Sequence, residues 1–438
     1  MPDTTDNLSL YQEFEAINSI DPALFKRFDV KRGLRNADGT GVVAGLTNIA
    51  DVHGYTLVDG IKQPDQGRLN YRGRDINELV ASTDAPKRFN FEEVAYLLLS
   101  GYLPSADQSA DFIAHLDSQR ELPDGFTASL IMKDTPVDLM NILARSVLLL
   151  YACDEQAESR SPDHEVSTAL SLISRVPRIM VLGYHAKQAR FFNGSMIMHR
   201  FIPGQSTAET ILSMLRPDRQ FDPAEARMLD IMLCLHAEHG GGNNSTFTVR
   251  TLTSADTDAY SAYAAAMGAL KGLRHGGANH QVLAMQRDIK EQVADWTDEG
   301  QVADYLTRIV RGQAFDGSGL IYGIGHAVYT LSDPRAQICR CAAASLAEGT
   351  EFMDELRLLE LIERLAPEVL AREKGSDKPL CANVDMYSGF VYSLLGIPAD
   401  LFTPLFASAR MVGWAAHRFE EIVSGKRIIR PAYRSTAL

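Results

Sequence analysis

The 438-residue chain has no uninterrupted apolar run that approaches the roughly 20 residues a membrane-spanning helix needs. Its greasiest stretch, NILARSVLLLYAC, is interrupted by Arg145. The N-terminus, MPDTTDNLSLYQEFE, lacks a basic start followed by an apolar core, so no signal peptide is expected and the cytoplasm is the expected compartment. Cysteine is scarce and odd in number. Cys153, Cys234, Cys339, Cys341 and Cys381 are irregularly spaced, which argues against a disulfide framework and for reduced, mostly buried thiols. Cys339 and Cys341 have no second pair, so no metal is expected there. Positive charge is also short: 43 Lys and Arg face 56 Asp and Glu, a net charge of −13. Such a surface repels nucleic acid. An anionic ligand would need a local basic cluster, and one stands after Ile422, with Lys426, Arg427, Arg430 and Arg434 and no acid.

Several catalytic signatures are missing as well. HGGG at 239–242 looks like an esterase oxyanion loop, but no Gly-x-Ser-x-Gly nucleophile elbow accompanies it. GIGHAV at 323–328 begins like a dinucleotide loop without its third glycine or a preceding strand. There is no Gly-x-x-x-x-Gly-Lys-Ser/Thr phosphate loop. His236 and His239 are three apart and run into glycines, whereas a zinc helix spaces its histidines by four to share one face.

What is present is an ordinary globular composition, 45% hydrophobic and 23% charged, long enough for two subdomains around a large core. Residues 31–77 are rich in glycine and β-branched residues. GVVAGLTNIADV and YTLVDGIKQ read as short strands, with Asp59-Gly60 as a hairpin turn. Helical periodicity then dominates, from FNFEEVAYLLLSGYLP through segments near 137–152, 165–175, 224–238, 258–270, 301–311, 335–347, 354–372 and 404–424. The expectation is a mainly α protein with a few short N-terminal strands, its ligand held in a cleft between two closely packed domains.

Three glycine-neighboured acid–base segments remain. They are HAEHGGGNNST (236–246) with RHGGAN (274–279), GIGHAVYTLSDPR (323–335), and NVDMYSG (383–389). Each has a plain structural reading; Asp385, for instance, stands where a helix N-cap belongs. In this order, however, the segments resemble the citrate synthase family. The resemblance extends from GLRNADGTGVVAGLTNIADVHGY and YRGRDI to FASAR and IIRPAY, nearly the whole chain. It implies a citrate synthase-like two-domain helical fold. Residues 1–279 and 389–438 would form a large, dimer-forming domain. Residues 280–388 would form a small domain carrying part of the acyl-CoA site. The implied reaction joins acetyl-CoA, oxaloacetate and water into citrate and CoA, with no cofactor beyond the thioester and no metal. His275, His326 and Asp385 match the family's catalytic triad. His239, Asn243, Arg335 and Arg410 match oxaloacetate-pocket positions, and Arg430 matches an arginine given by the partner of a homodimer. Two departures stand out: Ala327 and Thr330 replace an arginine and a lysine often found there, which bears on how CoA phosphates are held. Lys271 and Arg274 are candidate substitutes. STFT (245–248) and VYTLSDPR (328–335) are also similar to 2-methylcitrate synthases, which use propionyl-CoA. A regulator that only binds a tricarboxylate is a third reading, against which the intact histidines and aspartate count.

The chemistry suits these residue types. A thioester methyl is a very weak acid, so its proton needs a base on one side and a donor at the carbonyl oxygen on the other. Asp385 can be the base if partly desolvated, and His275 the donor if neutral. The start of the helix near Ala278 is expected to disfavour a charged imidazole, and Gly276 and Gly277 to leave room for the thioester. His326 would polarise the keto carbonyl, with Gly323 and Gly325 letting its loop fold tightly. Asp333-Pro334 reads as a cap and first-turn proline, which puts Arg335 at a helix start. A keto-diacid calls for guanidinium forks.

Overall fold

A computed structural model describes residues 11–15, 17–81, 90–273, 275–375 and 378–436. Arg274 therefore lies outside the described residues. By its contacts the chain forms two compact units, 1–44 and 45–438. In the first, Asp21 caps the short helix Pro22–Arg27. The second contains the sheet and all the longer helices, and the boundaries expected at 280 and 388 fall inside it.

The only sheet among the described residues has three antiparallel strands, β1 (Ala50–Val58), β2 (Ile61–Tyr71) and β3 (Arg74–Asp75). Val58 pairs with Ile61 across Asp59-Gly60, whose φ angles of 52° and 76° match the twist of a tight two-residue hairpin. The turn falls where the sequence placed it. The strand expected in residues 41–47 is absent, and pairing begins only at Ala50. A register shift between His53 and Tyr55 bends the ribbon at Gly54.

The rest is helical. Asn90–Ser100, Leu139–Tyr151, Pro223–Ala237, Ala259–Lys271, Glu299–Val310, Pro334–Ala347, Met353–Lys374 and Phe402–Glu420 match expected segments. Ala106–Gln119, Thr207–Leu215 and Asn244–Ser254 were not anticipated. The segment expected near 165–175 runs instead from Pro162 to Phe191, through Pro177. An interior proline costs a helix about 3 kcal/mol. Burial on nearly every side offsets that, with Val176, Ile179 and Met180 at most 1% exposed. By length and composition this helix could cross a membrane, but most of its apolar window is buried within the fold.

Against it packs Phe402–Glu420, buried from Phe402 through Arg418. A helix apolar on all sides is a core helix, so the charges it carries need internal partners. Arg418 finds them in a two-pronged pair with Glu165, at 2.7 and 2.6 Å. Arg410 does not.

The β1–β2 hairpin matters for the site because it grips the loop 328–332. A Cβ on Gly54 would stand 2.5 Å from Tyr329 Cα, and one on Gly67 would overlap the Ser332 carbonyl. The Thr330 hydroxyl donates to the Gly54 carbonyl and accepts from Asp65 N–H at 3.1 Å, while Gly67 N–H donates to Ser332 Oγ at 3.0 Å. Thr330 is buried in this contact. The position that departs from the family pattern thus faces the hairpin.

Candidate active site

The segments 323–326 and 381–385 are zipped together. Gly325 N–H donates to Cys381 O and Asn383 N–H to Gly323 O, both at 2.8 Å. The Asn383 side chain adds a bond to Gly325 O at 2.9 Å. This short antiparallel contact, with its bridge between Ile324 and Ala382, carries His326 and Asp385 on adjoining strands of chain. Gly323 and Gly325 have φ angles of 83° and 92°, as the expected tight loop requires.

Asp385 opens the helix Asp385–Leu394 but caps nothing. Asn383 Oδ1 takes the Asp385 N–H at 3.0 Å, so the capping explanation for the aspartate fails. Among the described residues its carboxylate has no hydrogen bond or ion pair. Burial raises its pKa to about 6, with Asp333 adding to the rise and Arg335 opposing it.

His275 sits on the turn before Ala278–Gln292. Ser245 N–H points at Nε2 from 3.4 Å, and Ser245 Oγ lies 3.2 Å from the same nitrogen. Nε2 then bears the lone pair and Nδ1 the proton. Ser245 is itself held by Trp414 Nε1–H at 3.2 Å and donates to Asn243 Oδ1 at 2.9 Å. The His275 pKa is lowered to about 4 by burial and then by the charge of Arg410. The neutral imidazole agrees with expectation; its cause is burial and a guanidinium, where the sequence suggested a helix terminus. Gly276 serves a different purpose too: a Cβ there would strike the Leu270 carbonyl, so this glycine allows a close turn rather than room for ligand.

His326 Nδ1 accepts the N–H groups of Val328 and Tyr329, at 3.0 and 3.1 Å. Backbone N–H can only donate, so the His326 proton is on Nε2. The His239 ring stands edge-on to it, centroids 5.1 Å apart, with Nε2 at 3.2 Å from Tyr329 Oη. Burial and then Arg335, His326, Arg410 and His275 push the His239 pKa well below the usual range. That sequence of neighbours draws the two arginines and three histidines into one electrostatic neighbourhood.

Arg335 begins Pro334–Ala347 behind the Asp333 cap, as expected. Asp333 also takes its Nε and Nη2, at 3.1 and 2.7 Å, so the fork is already partly engaged. Arg410 is 0% exposed and donates Nε–H to His236 O at 2.6 Å. Its Nη1 and Nη2 are buried without a hydrogen-bond partner among the described residues. Burial lowers its pKa to about 10, which still leaves it charged at neutral pH. A buried, charged and unpaired guanidinium is expensive unless an anion joins it. His236 stacks at 4.3 Å on Phe406 instead of sharing a ligand with His239.

Other expected residues stand apart. Lys271 is exposed and pairs with Asp138 at 3.4 Å. Arg430 is exposed and makes no hydrogen bond or ion pair with the described residues. Tyr329, Ser245 and Trp414 belong to the site yet were not singled out from sequence, and Asp333 was read only as a helix cap. The flanking positions of Tyr329 and Asp333 beside His326 and Arg335 were the available signal; Trp414 had none.

The chain can now be set beside known proteins. A family model described as citrate synthase, C-terminal domain, matches residues 36–432. The chain is 35% identical over 399 residues to a citrate synthase of Acidithiobacillus ferridurans, covering 89% of this chain and 92% of that one. It is 31% identical over 408 residues to 2-methylcitrate synthase 2 of Corynebacterium glutamicum, covering 91% and 95%. Among solved structures it superposes with TM-score 0.76 on the citrate synthase of Thermoplasma acidophilum in ternary complex with carboxymethyl coenzyme A and oxaloacetate, at 25% identity over 93% of this chain and 97% of that one.

Proposed function

We infer the function from the premise that this chain belongs to the citrate synthase family. It condenses acetyl-CoA with oxaloacetate and water to give citrate and CoA. The observation that carries the reading is the pair of free guanidinium nitrogens on buried Arg410, in one neighbourhood with three histidines and an unpaired carboxylate.

In this reading Asp385 removes a methyl proton from the thioester, its raised pKa bringing its basicity toward the working pH. His275 donates Nδ1–H to the thioester oxygen as charge builds there. The new carbon–carbon bond forms at the keto carbon of oxaloacetate, whose oxygen takes a hydrogen bond from His326 Nε2–H. Water then cleaves the thioester of the joined intermediate and releases CoA. Arg410, Arg335 and His239 hold the carboxylates, with Asn243 lining the pocket beside them. Two domains, 1–279 with 389–438 and 280–388, would close over the reactants and exclude water while the enol forms. No cofactor is required beyond the CoA thioester.

The reading includes a cytoplasmic homodimer. All five cysteines are free, and Arg430 is exposed in a basic tail, as an arginine given to a partner would be. Lys271 and Arg274 are the proposed contacts to CoA phosphates. The second reading, 2-methylcitrate synthesis from propionyl-CoA, is favoured by the 31% identity to such an enzyme. One added methylene alters discrimination by only about 1–3 kcal/mol, so mixed acyl use is expected. The test is thiol release from enzyme and oxaloacetate with acetyl-CoA or propionyl-CoA in parallel. A faster acetyl-CoA reaction supports the main reading; release from neither overturns both.

A further inference from the structure

Behind the anion pocket runs a buried chain of charges that none of the steps above uses. Glu238 immediately precedes His239 and is 0% exposed. Its Oε1 accepts Nε2–H of His417, also 0% exposed, at 2.8 Å. On the other side of that ring, Nδ1 accepts from Arg250 Nη1 at 2.8 Å. A guanidinium can only donate, so Nδ1 is the accepting nitrogen and the Nε2–H of His417 points toward Glu238. Arg250 is anchored in turn by Glu420 at 2.9 Å and Glu421 at 3.3 Å. The line Glu420/Glu421–Arg250–His417–Glu238 therefore ends one residue from a pocket histidine.

Two features argue that the line serves the pocket as well as the fold. A network built for stability alone would be fully paired, because each unmatched buried polar atom is costly. Here Glu238 Oε2 has no hydrogen-bond partner among the described residues, and neither do Arg410 Nη1 and Nη2. Glu238 is the foremost group sustaining the charge of Arg410 against burial. The helix interior also gives way to it: a Cβ on Gly413 would overlap Glu238 Oε2. Burial would raise the Glu238 pKa, but His417, Arg410 and the Gly240 N–H outweigh it and hold the carboxyl ionised. Meanwhile Tyr71 Oη bonds the Glu238 carbonyl at 2.9 Å and fixes the backbone that leads into His239.

We propose that Glu238 and His417 are positioning residues for the oxaloacetate-binding end of the site. Through Glu238 the line sets the His239 turn and supplies the buried counter-charge that keeps Arg410 ready for a carboxylate. This rests on the oxaloacetate reading given above. The test is steady-state kinetics of the full-length enzyme with each substrate varied. His417→Leu is expected to raise KM for oxaloacetate at least tenfold and to leave KM for acetyl-CoA within about twofold. His417→Gln, which can still donate to Glu238, is expected to recover most of the loss. Arg250→Lys keeps the charge but cannot bond His417, Glu420 and Glu421 together; it should raise KM for oxaloacetate several-fold and serves if His417→Leu does not fold. Unchanged oxaloacetate KM in the folded variants, or equal changes for both substrates, overturns the proposal. A wild-type enzyme inactive with oxaloacetate would instead overturn the reading on which it rests.

Discussion

Asn383 Oδ1 accepts the Asp385 N–H at 3.0 Å and so takes the capping task from the carboxylate two residues on. Freed from the helix end, Asp385 is left partly buried, basic and without a partner among the described residues. Asp385→Asn should lower kcat on the order of 10²-fold or more. The same change should raise Tm. Its folded pKa, about 6, stands above the ordinary 3.8, so the native state binds the extra proton between those values. Stability then falls as pH rises from about 4 to 6, and the ionised carboxylate burdens the fold above that. Thermal melts of the variant should show the gain above pH 6 and lose it near pH 4. A variant less stable than wild type at pH 7 would contradict this.

His275 should remain neutral until the pH approaches about 4. The acid limb of kcat/KM should therefore fall near pH 6 and follow Asp385. NMR titration of the imidazole checks the first statement and a pH–rate profile the second. A His275 protonated at pH 7 would remove its role as neutral donor.

Arg410→Met should separate binding from stability. It removes a buried guanidinium whose Nη1 and Nη2 have no partner among the described residues, so the ligand-free protein should melt no lower than wild type. Oxaloacetate should lose its power to raise Tm, and turnover should fall by two orders of magnitude or so. Calorimetry with and without oxaloacetate tests both halves.

Gly67→Ala should disturb a site it does not touch. The new methyl would overlap the Ser332 carbonyl, a backbone atom, so the hairpin or the loop must shift. That loop leads from His326 to Arg335, and misplacement by about 1 Å can cost up to 10²-fold in rate. Activity close to wild type would show that the hairpin does not set the loop.

Subunit sharing can be read from mixtures. If Arg430 crosses to the partner, a heterodimer of Arg430→Ala and His275→Ala chains has one site with both lesions and one with none. Two inactive preparations, unfolded and reassembled together, should regain roughly a quarter of wild-type activity, since about half the dimers are mixed and each has one intact site. No recovery would mean that each site is built from one chain.

The sequence by itself determined whatever depends on neighbours along the chain. The Asp59-Gly60 turn, the Asp333-Pro334 helix start and most helices follow from local backbone preference and apolar spacing. The histidine-, arginine- and aspartate-bearing segments could be identified by their motifs. Only the tertiary structure decided the state of those groups. Pro177 stays helical because burial outweighs its local cost. His275 is neutral because of burial and of Arg410, 135 positions away along the numbering. Thr330 faces a hairpin more than 250 residues upstream, and Glu238 meets His417 across 179. Desolvation and charge interactions sum over groups gathered in space, and no window of sequence contains that sum.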